Sequence, residues 1–537
     1  MKTSILPLSS GALLLSCGLA AGAPAEHKEF EATLHAPFQA GVATQRTFTL
    51  GFDYPGLERP GIVDWRVELR RPGGRVALRW RGQASLTGSS VSVSLPWSGR
   101  IGRSPAPPGI YQVRLHAVVR GNGHEAVSQA WEIAVGTPAR PRMPRFQALP
   151  GAALAPAAAP APGGLPYNVY LGNLHSQTNH SDGGAELTAC KGAQPPLSAP
   201  YGPDAAFAFA HKQGLDILAA SEHNHMYDGS DGSAPDADAA KARALYQAGL
   251  ASADAYSQKH PGFLALYGME WGVINHGGHL NIFNSRELLG WETNAKGELM
   301  ADTRTPRGDY AALYTLMRER GWVGQFNHPA QTGQFMVNGV ALAYTPEGDE
   351  VMALCEVVNS TAFSTNVSES ETRRSHFEAA CNRLLEAGYH VAFSTNQDNH
   401  CANWGASYTN RTGVLIPAGV KLSRDSFIEA LRARRVFATM DKGSQLVLTA
   451  NGRMMGERFR NRGPLELVVN FAGSAGKQAA AVAIMEGVPG RKGEVTRLSE
   501  TAAASFTPAQ GEHFYYARVT QDDGNVLWSA PVWVTQE

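Results

Sequence analysis

The sequence predicts an α/β fold in which a barrel of alternating strands and helices is flanked by an N-terminal and a C-terminal β-sandwich domain. Between residues 167 and 443, short apolar runs alternate with segments of helical spacing, which is typical of parallel strands joined by helices. Residues 26–136 and 444–537 instead alternate polar and apolar residues between Gly/Pro turns, which indicates half-buried strands.

Length and charge narrow the classes of protein that are possible. The chain has 537 residues, and its 47 Lys and Arg balance its 47 Asp and Glu. That length predicts about three or four domains. Because no excess of positive charge is present, nucleic acid and anionic membrane are not expected as partners. No apolar run of about 18 residues follows the N-terminus, so we expect no integral membrane span.

The N-terminus has the pattern of an export signal over residues 1–25. Lys2 supplies the positive charge, an apolar stretch follows, and Ala23-Pro24-Ala25 offers the small residues that precede a cleavage site. A lipoprotein signal ending at Cys17 is the alternative. Either signal predicts a periplasmic or secreted protein.

The sequences of three regions outside the barrel predict their structure. The runs "TFTLGFDY", "VDWRVELRR", "VSVSLPW" and "GIYQVRLHAVV" predict an immunoglobulin-like sandwich over residues 26–136. Residues 137–166 are rich in Pro and Ala, which predicts a semi-extended, exposed linker. The runs "SQLVLTANG", "LELVVNF" and "APVWVTQE" predict a second small sandwich after residue 443.

The central region contains seven or eight strand–helix units, which favours a closed barrel over an open sheet. "NVYLGNL", "LDILAAS", "FLALYGME" and "HVAFSTNQD" are examples of its predicted strands. Helical spacing marks "DAAFAFAHKQG", "DYAALYTLMRERG", "RSHFEAACNRLLEAG" and "RDSFIEALRARR", three of which end at a Gly C-cap signal.

Histidine and carboxylate side chains follow the ends of six predicted strands. Because parallel barrel strands all end on one face, these side chains are expected to converge there. A single histidine in this position is more often a packed residue. Burying Glu270 without a partner would cost free energy, however, and a bound cation removes that cost. The joint pattern predicts a metal cluster whose candidate ligands are His175, Gln177, Asp182, His223, Glu270, His279, His328, Asp398 and His400.

Other catalytic patterns are absent from the sequence. It contains no G-x-S-x-G elbow, no P-loop and no H-E-x-x-H. Hydrolysis at a metal site is the chemistry that remains.

The motifs "LHSQTNHSDG", "GLDILAASEHNH", "GMEW…GGHLNIF", "FNHP" and "DNH" resemble, in this order, those of the polymerase-and-histidinol-phosphatase (PHP) superfamily. Within it, the exported phosphoesterase and carbaryl-hydrolase-like branch fits best. The resemblance covers roughly residues 167–441 and implies a distorted (β/α)7 barrel that holds two or three divalent metals. It implies that Glu270 bridges two metals, and that the other ligand positions fall on His175, Asp182, His223, His279, His328, Asp398 and His400.

The sequence departs from the family pattern at Gln177, where a second histidine is usual, and at Glu222, where an aspartate commonly precedes the histidine. An amide oxygen is a weaker ligand, so a dinuclear site is at least as well supported as a trinuclear one. His180 is a candidate replacement ligand, or else a residue that supports the site or faces the substrate. Mixed imidazole and carboxylate ligands favour Zn, Mn or Fe over Ca.

Five cysteines are present, and four remain once Cys17 is assigned to the signal. In an oxidising compartment an even number favours disulfides, and four cysteines allow three pairings. Cys190 and Cys401 each follow a histidine-rich segment, so convergence of those segments would favour a bond between them. Four buried thiols are the alternative.

These features predict an exported hydrolase that uses a metal-activated hydroxide on a small-molecule ester, first of all a phosphate ester. The same site would also suit a carboxylic ester, carbamate or amide. A third interpretation is a non-enzymatic surface protein with a degenerate, metal-stapled barrel. Candidate proton donors to the leaving group are His180, His225 and His276, and candidate phosphate-binding cations are Arg411 and Lys191, whose alternative is a solvated surface charge.

Overall fold

The computed structural model describes residues 30–39, 45–54, 59–88, 90–120, 126–151, 165–273, 277–329, 333–491 and 495–537. The predicted signal over residues 1–25, the alternative lipoprotein site at Cys17, and His276 lie outside these described residues. No helix in the described part of the chain is long and apolar enough to cross a membrane.

Two antiparallel sheets that share one core form the N-terminal region. One sheet has the order β1-β2-β5 and the other β4-β3-β8-β9. Alternate residues of each strand point inward, and Phe48, Leu50, Val67 and Leu115 are among the fully buried ones. The strands are β1 (Glu31–His35), β2 (Arg46–Asp53), β3 (Gly61–Arg70), β4 (Val76–Leu86), β5 (Ser90–Trp97), β6 (Arg100–Ile101), β7 (Ser104–Pro105), β8 (Gly109–Arg120) and β9 (Ala126–Val135).

The central region contains the six α-helices of the described residues and twelve strands. Its elements are β10 (Tyr167–Asn173), α1 (Pro203–Lys212), β11 (Ile217–His223), α2 (Ala239–Lys259), β12 (Leu264–Val273), β13 (Gly278–Ile282), β14 (Leu289–Gly290), β15 (Thr303–Arg304), α3 (Tyr310–Arg320), β16 (Gly324–Phe326), α4 (Pro346–Val351), β17 (Met352–Ser360), β18 (Arg374–His376), α5 (Glu378–Ala387), β19 (Ala392–Asn396), β20 (Arg411–Pro417), α6 (Arg424–Arg432) and β21 (Val436–Thr439).

Local signals explain where the helices begin and end. The Asp309 side chain caps α3 by accepting a hydrogen bond from the Ala312 N–H, and α3 ends at Gly321 in the left-handed conformation. α5 likewise ends at a left-handed glycine, Gly388. The segment before α5 was predicted to be helical, but it forms β18 instead.

The strands after residue 443 form a second pair of sheets. One has the order β23-β22-β25-β28, and the other continues the central sheet, because β21 pairs with β30. Apolar side chains from both sheets fill the space between them. The strands are β22 (Gln445–Ala450), β23 (Arg453–Met454), β24 (Arg458–Asn461), β25 (Leu465–Ala472), β26 (Ala479–Gly487), β27 (Thr496–Ser499), β28 (Ala503–Phe506), β29 (Gly511–Gln521), β30 (Val526–Ser529) and β31 (Val532–Gln536).

The prediction of a distorted (β/α)7 barrel is wrong. Ten of the twelve central strands belong to a mixed sheet of 16 strands, and over the described residues the path from β18 to β27 does not return on itself. β10, β11 and β12 are parallel, but β13 and β20 run antiparallel to their neighbours. Apolar runs mark buried strands without giving their direction, so a return strand such as β13 was counted as another parallel unit.

Part of the predicted linker is packed rather than exposed. Leu149 is buried, its N–H donates to Gln445 Oε1 at 2.7 Å, and the Gln445 amide donates back to its carbonyl at 3.0 Å. Residues 152–164 of the predicted linker lie outside the described residues.

Candidate metal centre

Three neighbouring parallel strands bring the first candidate ligands together. His175 lies two residues after the end of β10, His223 ends β11, and Glu270 lies in β12. His223 and Glu270 are direct partners in the β11–β12 register. All three side chains are almost fully buried. The convergence predicted for strand ends is therefore present, although the sheet is mixed.

Three further ligand candidates lie on β13 and in the loops that follow β16 and β19. β13 is antiparallel to β12 and places His279 opposite Gly272. His328 lies two residues after β16, and Asp398 lies two residues after β19. His328 and Asp398 have φ angles of 25° and 50°, which non-glycine residues rarely adopt. Such strained backbone is typical of functional sites.

Glu270 is the centre of this cluster. Its carboxylate lies 2.9 Å from His175 Nε2, 3.5 Å from His223 Nδ1, 3.0 Å from His279 Nδ1 and 3.2 Å from His328 Nε2. Burial acts to raise the pKa of Glu270, but the histidines around it, His175 above all, hold that pKa well below its usual range. Glu270 is thus a carboxylate with four imidazoles in contact.

His175 lies among three carboxylates. Its Nε2 is 3.1 Å from Asp398 Oδ1, and its Nδ1 is 3.3 Å from Glu356 Oε1. Burial acts to lower the pKa of His175, but Asp398, Glu270 and Glu356 raise it well above the usual value. The site therefore favours a positive charge at this point, whether a proton or a metal ion carries it.

A second group of donors lies beside the first and shares His223 with it. His223 Nε2 is 3.6 Å from Asp182 Oδ1, and His400 Nε2 is 3.5 Å from the same oxygen. His400 also lies 3.8 Å from Asp398 through Nδ1. Within each of the groups Asp182/His223/His400, His175/Glu270/His328 and His223/Glu270/His279, the donor atoms lie within 4.8 Å of one another.

The donor chemistry of these groups fits divalent metals. Buried imidazoles and carboxylates suit Zn, Mn or Fe, and buried carboxylates are normally paired with cations. Separations of 2.9–3.6 Å between donors of different strands allow several of them to face one ion. The predicted ligands His175, Asp182, His223, Glu270, His279, His328, Asp398 and His400 are all brought together.

Gln177 contacts the centre in a different way from that predicted. It is fully buried, and its amide Nε2 donates to Glu270 Oε2 at 2.7 Å. Its Oε1 accepts a hydrogen bond from Ser181 Oγ at 3.2 Å. In this arrangement Gln177 hydrogen-bonds to Glu270, and its role as a metal ligand stays a prediction.

The candidate proton donors are less well placed than the ligands. His180 Nδ1 lies 2.7 Å from the Tyr267 hydroxyl, and burial lowers the His180 pKa to about 4. Its imidazole is therefore neutral at pH 7, and its role as a proton donor stays a prediction. His225 pairs through Nε2 with Asp231 at 3.2 Å, and its ring lies 5.9 Å from that of His223.

Of the two candidate phosphate-binding cations, Arg411 is engaged by its own loop and Lys191 is exposed. Arg411 is buried and donates to the carbonyls of Tyr408, Asn410 and Gly405 and to Glu369 Oε1 at 3.2 Å. These contacts hold its own loop, and the role of Arg411 in substrate binding stays a prediction. Lys191 is exposed next to Cys190.

The predicted disulfide between Cys190 and Cys401 is present, and a second bond joins Cys355 to Cys381. Cys401 directly follows His400, so the first bond fixes the loop that carries a candidate ligand. The interpretation of four buried thiols is therefore wrong.

Several functional side chains were missed by the sequence reasoning. Glu356 accepts from the His328 N–H at 2.7 Å and contacts His175. Asn327 donates to Glu270 Oε1 at 2.8 Å. Glu222 accepts from the Thr178 N–H and hydroxyl at 2.9 and 2.5 Å, and burial raises its pKa to about 7. Polar residues in otherwise apolar strands were the available signal.

Comparisons with known proteins do not name a family. No family model matches the chain, and no curated protein matches it. A CARDB domain of Pyrococcus furiosus, solved in complex with di-metal ions, aligns at 15% identity over 20% of this chain and 89% of that one, with a TM-score of 0.15. A β-glucuronidase of Parabacteroides merdae aligns at 9% identity over 95% of this chain and 65% of that one, with a TM-score of 0.16.

A calcium-binding mutant of β-glucuronidase 2 from Bacteroides uniformis aligns at 12% identity over 95% of this chain, with a TM-score of 0.19. The chain spans 62% of the length of that enzyme, which is less than two thirds. TM-scores this low carry no argument about fold or function, so the functional interpretation depends on the site itself.

Proposed function

We propose that the protein is a metal-dependent hydrolase of small-molecule esters, and first of all a phosphoesterase. The observation that carries this proposal is the buried Glu270 carboxylate in contact with imidazoles from four separate segments, beside Asp182, Asp398 and His400. The ordered motifs that resemble the PHP superfamily point to the same chemistry. Two divalent ions bound there would lower the pKa of a water and polarise the substrate oxygen.

The residues of the chain have distinct tasks in this proposal. His175, Glu270, His328 and Asp398 would hold one ion, and Asp182, His223 and His400 a second, with His279 beside Glu270. Asn327 and Gln177 hold the Glu270 carboxylate in place through hydrogen bonds of 2.8 and 2.7 Å. Because these groups are fixed before substrate arrives, little reorganisation would be needed during the reaction.

A carboxylic ester, carbamate or amide hydrolase is the second candidate. The observation in its favour is that Arg411 is engaged by its own loop and Lys191 is exposed, so neither supports a grip on phosphate oxygens. The two disulfides support the proposal of an exported protein, since such bonds persist in oxidising compartments.

Metal analysis combined with an ester panel tests the proposal. The purified protein is loaded with Mn or Zn, and p-nitrophenyl phosphate, bis-p-nitrophenyl phosphate and p-nitrophenyl acetate are assayed with and without EDTA. We expect chelator-sensitive hydrolysis of a phosphate substrate that is abolished in Glu270→Gln and kept in His116→Asn, a control on the N-terminal sandwich. Activity on the acetate alone supports the second candidate. Absence of both bound metal and hydrolysis overturns the proposal and favours a binding protein.

A further inference from the structure

A large cleft lies between the N-terminal sandwich and the C-terminal sheet, and no residue of the candidate metal centre lines it. Its volume is about 690 Å³. One wall comes from the turn after β3 and from β8, and the other comes from β26 and β29. This volume is within the range of small-molecule sites, which often lie between domains.

The walls of the cleft are held in place by contacts between the two regions. Phe38, Ala134 and Ala480 form a small apolar cluster, and Ile110 packs against it. Glu132 on β9 accepts a hydrogen bond from the Thr520 hydroxyl at 2.6 Å. The cleft is therefore part of a packed junction, and its opposite walls keep a defined spacing.

Positive charge dominates the lining. Five arginines line the cleft, against two carboxylates, Glu132 and Glu500. Both carboxylates are occupied: Arg518 pairs with Glu132 at 3.3 Å and Arg497 with Glu500 at 2.6 Å. The five arginines are Arg70, Arg71, Arg114, Arg497 and Arg518.

Two of these arginines form no ion pair within the described part of the chain. Arg70 pairs with Glu68 at 2.7 Å, but among the described residues no carboxylate lies within ion-pairing distance of Arg71 or Arg114. Burial and the nearby positive charges of Arg70 and Arg518 lower the pKa of Arg114, while the charge of Glu68 acts in the opposite direction. Like charges held together in this way repel one another unless an anion lies between them.

We propose that this cleft binds a small polyanion carrying at least two phosphate or carboxylate groups, held by Arg71 and Arg114 on one wall and facing the ion-paired Arg497 and Arg518 on the other. Guanidinium groups present paired N–H donors that match carboxylate and phosphate oxygens. An anion that contacts both walls would also bind the N-terminal region to the C-terminal one. This inference does not depend on the proposed hydrolase activity.

Calorimetric titration of the full-length protein tests the proposal, with pyrophosphate and tricarballylate as separate probes. We expect saturable binding of at least one probe, with an affinity that falls as salt is raised. The double variant Arg71→Ala/Arg114→Ala should weaken binding by about tenfold or more, since charge-assisted hydrogen bonds are lost. Arg81→Ala, an exposed arginine on β4 outside the cleft, is the matched control.

The probe that binds distinguishes a phosphate from a carboxylate ligand. The variant Asp398→Asn separates this cleft from the candidate metal centre, because cleft binding should persist in it. Absence of binding for both probes overturns the proposal, and so does equal binding by the double variant and the parent. Loss of binding only in Asp398→Asn would place the anion at the metal centre and also overturn it.

Discussion

Glu356 connects two candidate ligands without belonging to any of the three donor groups. Its carboxylate lies 3.3 Å from His175 Nδ1 and accepts the His328 N–H at 2.7 Å and the Asn396 amide at 2.9 Å. A carboxylate behind a metal-binding imidazole orients the ring and raises its basicity. Glu356 is therefore expected to tune the metal affinity of His175 while leaving the fold intact.

The variant Glu356→Gln tests this role, because it keeps the shape of the side chain and removes its charge. We expect metal affinity to fall by about 10- to 100-fold, with a similar loss of activity. Competition with a chromophoric chelator measures the affinity, and circular dichroism checks the fold. Glu466→Gln, on the exposed face of β25, is the control. Unchanged affinity in Glu356→Gln would show that Glu356 acts only in packing.

The ligands themselves were predictable because a polar residue stands out where an apolar strand ends. His175 and Asp398 belong to this class, whereas Glu270 lies inside β12 and stands out through its motif. Glu356 does not, since it lies inside a buried strand and the pattern does not reveal which face it occupies. The orientation of the Gln177 amide was equally beyond the sequence, because it depends on the hydrogen-bond partners that folding brings to it.

Two disulfides fix different kinds of element, and this difference predicts different effects on the site. The Cys190–Cys401 bond spans 211 residues and ends in the loop that follows His400. The Cys355–Cys381 bond spans 26 residues and joins β17 to α5. β17 is also held by its pairing with β16 and β19, which does not involve the disulfide. The loop after His400 is held by the isolated bridge between Ala185 and Cys401 rather than by a strand ladder, so we expect its position to depend more strongly on the bond.

Removal of each bond by paired Cys→Ser substitutions tests this difference. The chain-entropy relation gives about 5 kcal/mol for the longer loop and about 3.5 kcal/mol for the shorter one. Well below the unfolding temperature, Cys190→Ser/Cys401→Ser should release metal to EDTA about tenfold faster or more, since support of a ligand is lost. Cys355→Ser/Cys381→Ser should release it nearly as slowly as the parent protein. Equal rates in both variants would contradict the assignment.

The elements were easier to predict than their arrangement. Helical spacing with a terminal glycine located α3 and α5, and apolar runs located β10, β11, β12 and β19. Strand direction was not encoded in those runs. "HLNIF" forms an antiparallel return after β12, and β21 continues into the C-terminal strands through β30. Both features are set by pairing between distant segments, which periodicity in one segment does not report.

Arg374 and its neighbour Tyr408 connect the three regions of the molecule. The Arg374 guanidinium lies 5.0 Å from the ring of Trp131 in the N-terminal sandwich and 4.9 Å from that of Tyr408 in the central region. The Tyr408 hydroxyl donates to Asn525 in the C-terminal region at 2.6 Å. Arg374 therefore couples the N-terminal sandwich to the rest of the protein.

The substitution Arg374→Ala should uncouple the N-terminal sandwich. Only the contact with Trp131 crosses to the sandwich, and a cation–π contact contributes about 0.5–2 kcal/mol, so we expect the coupling to weaken by about that amount. We expect differential scanning calorimetry to show an earlier, separate transition for the sandwich. Arg373→Ala, which changes the neighbouring exposed arginine, should unfold like the parent. If Arg374→Ala also unfolds like the parent, the coupling must come instead from other contacts, such as the hydrogen bond of 2.7 Å between the His376 N–H and Gln129.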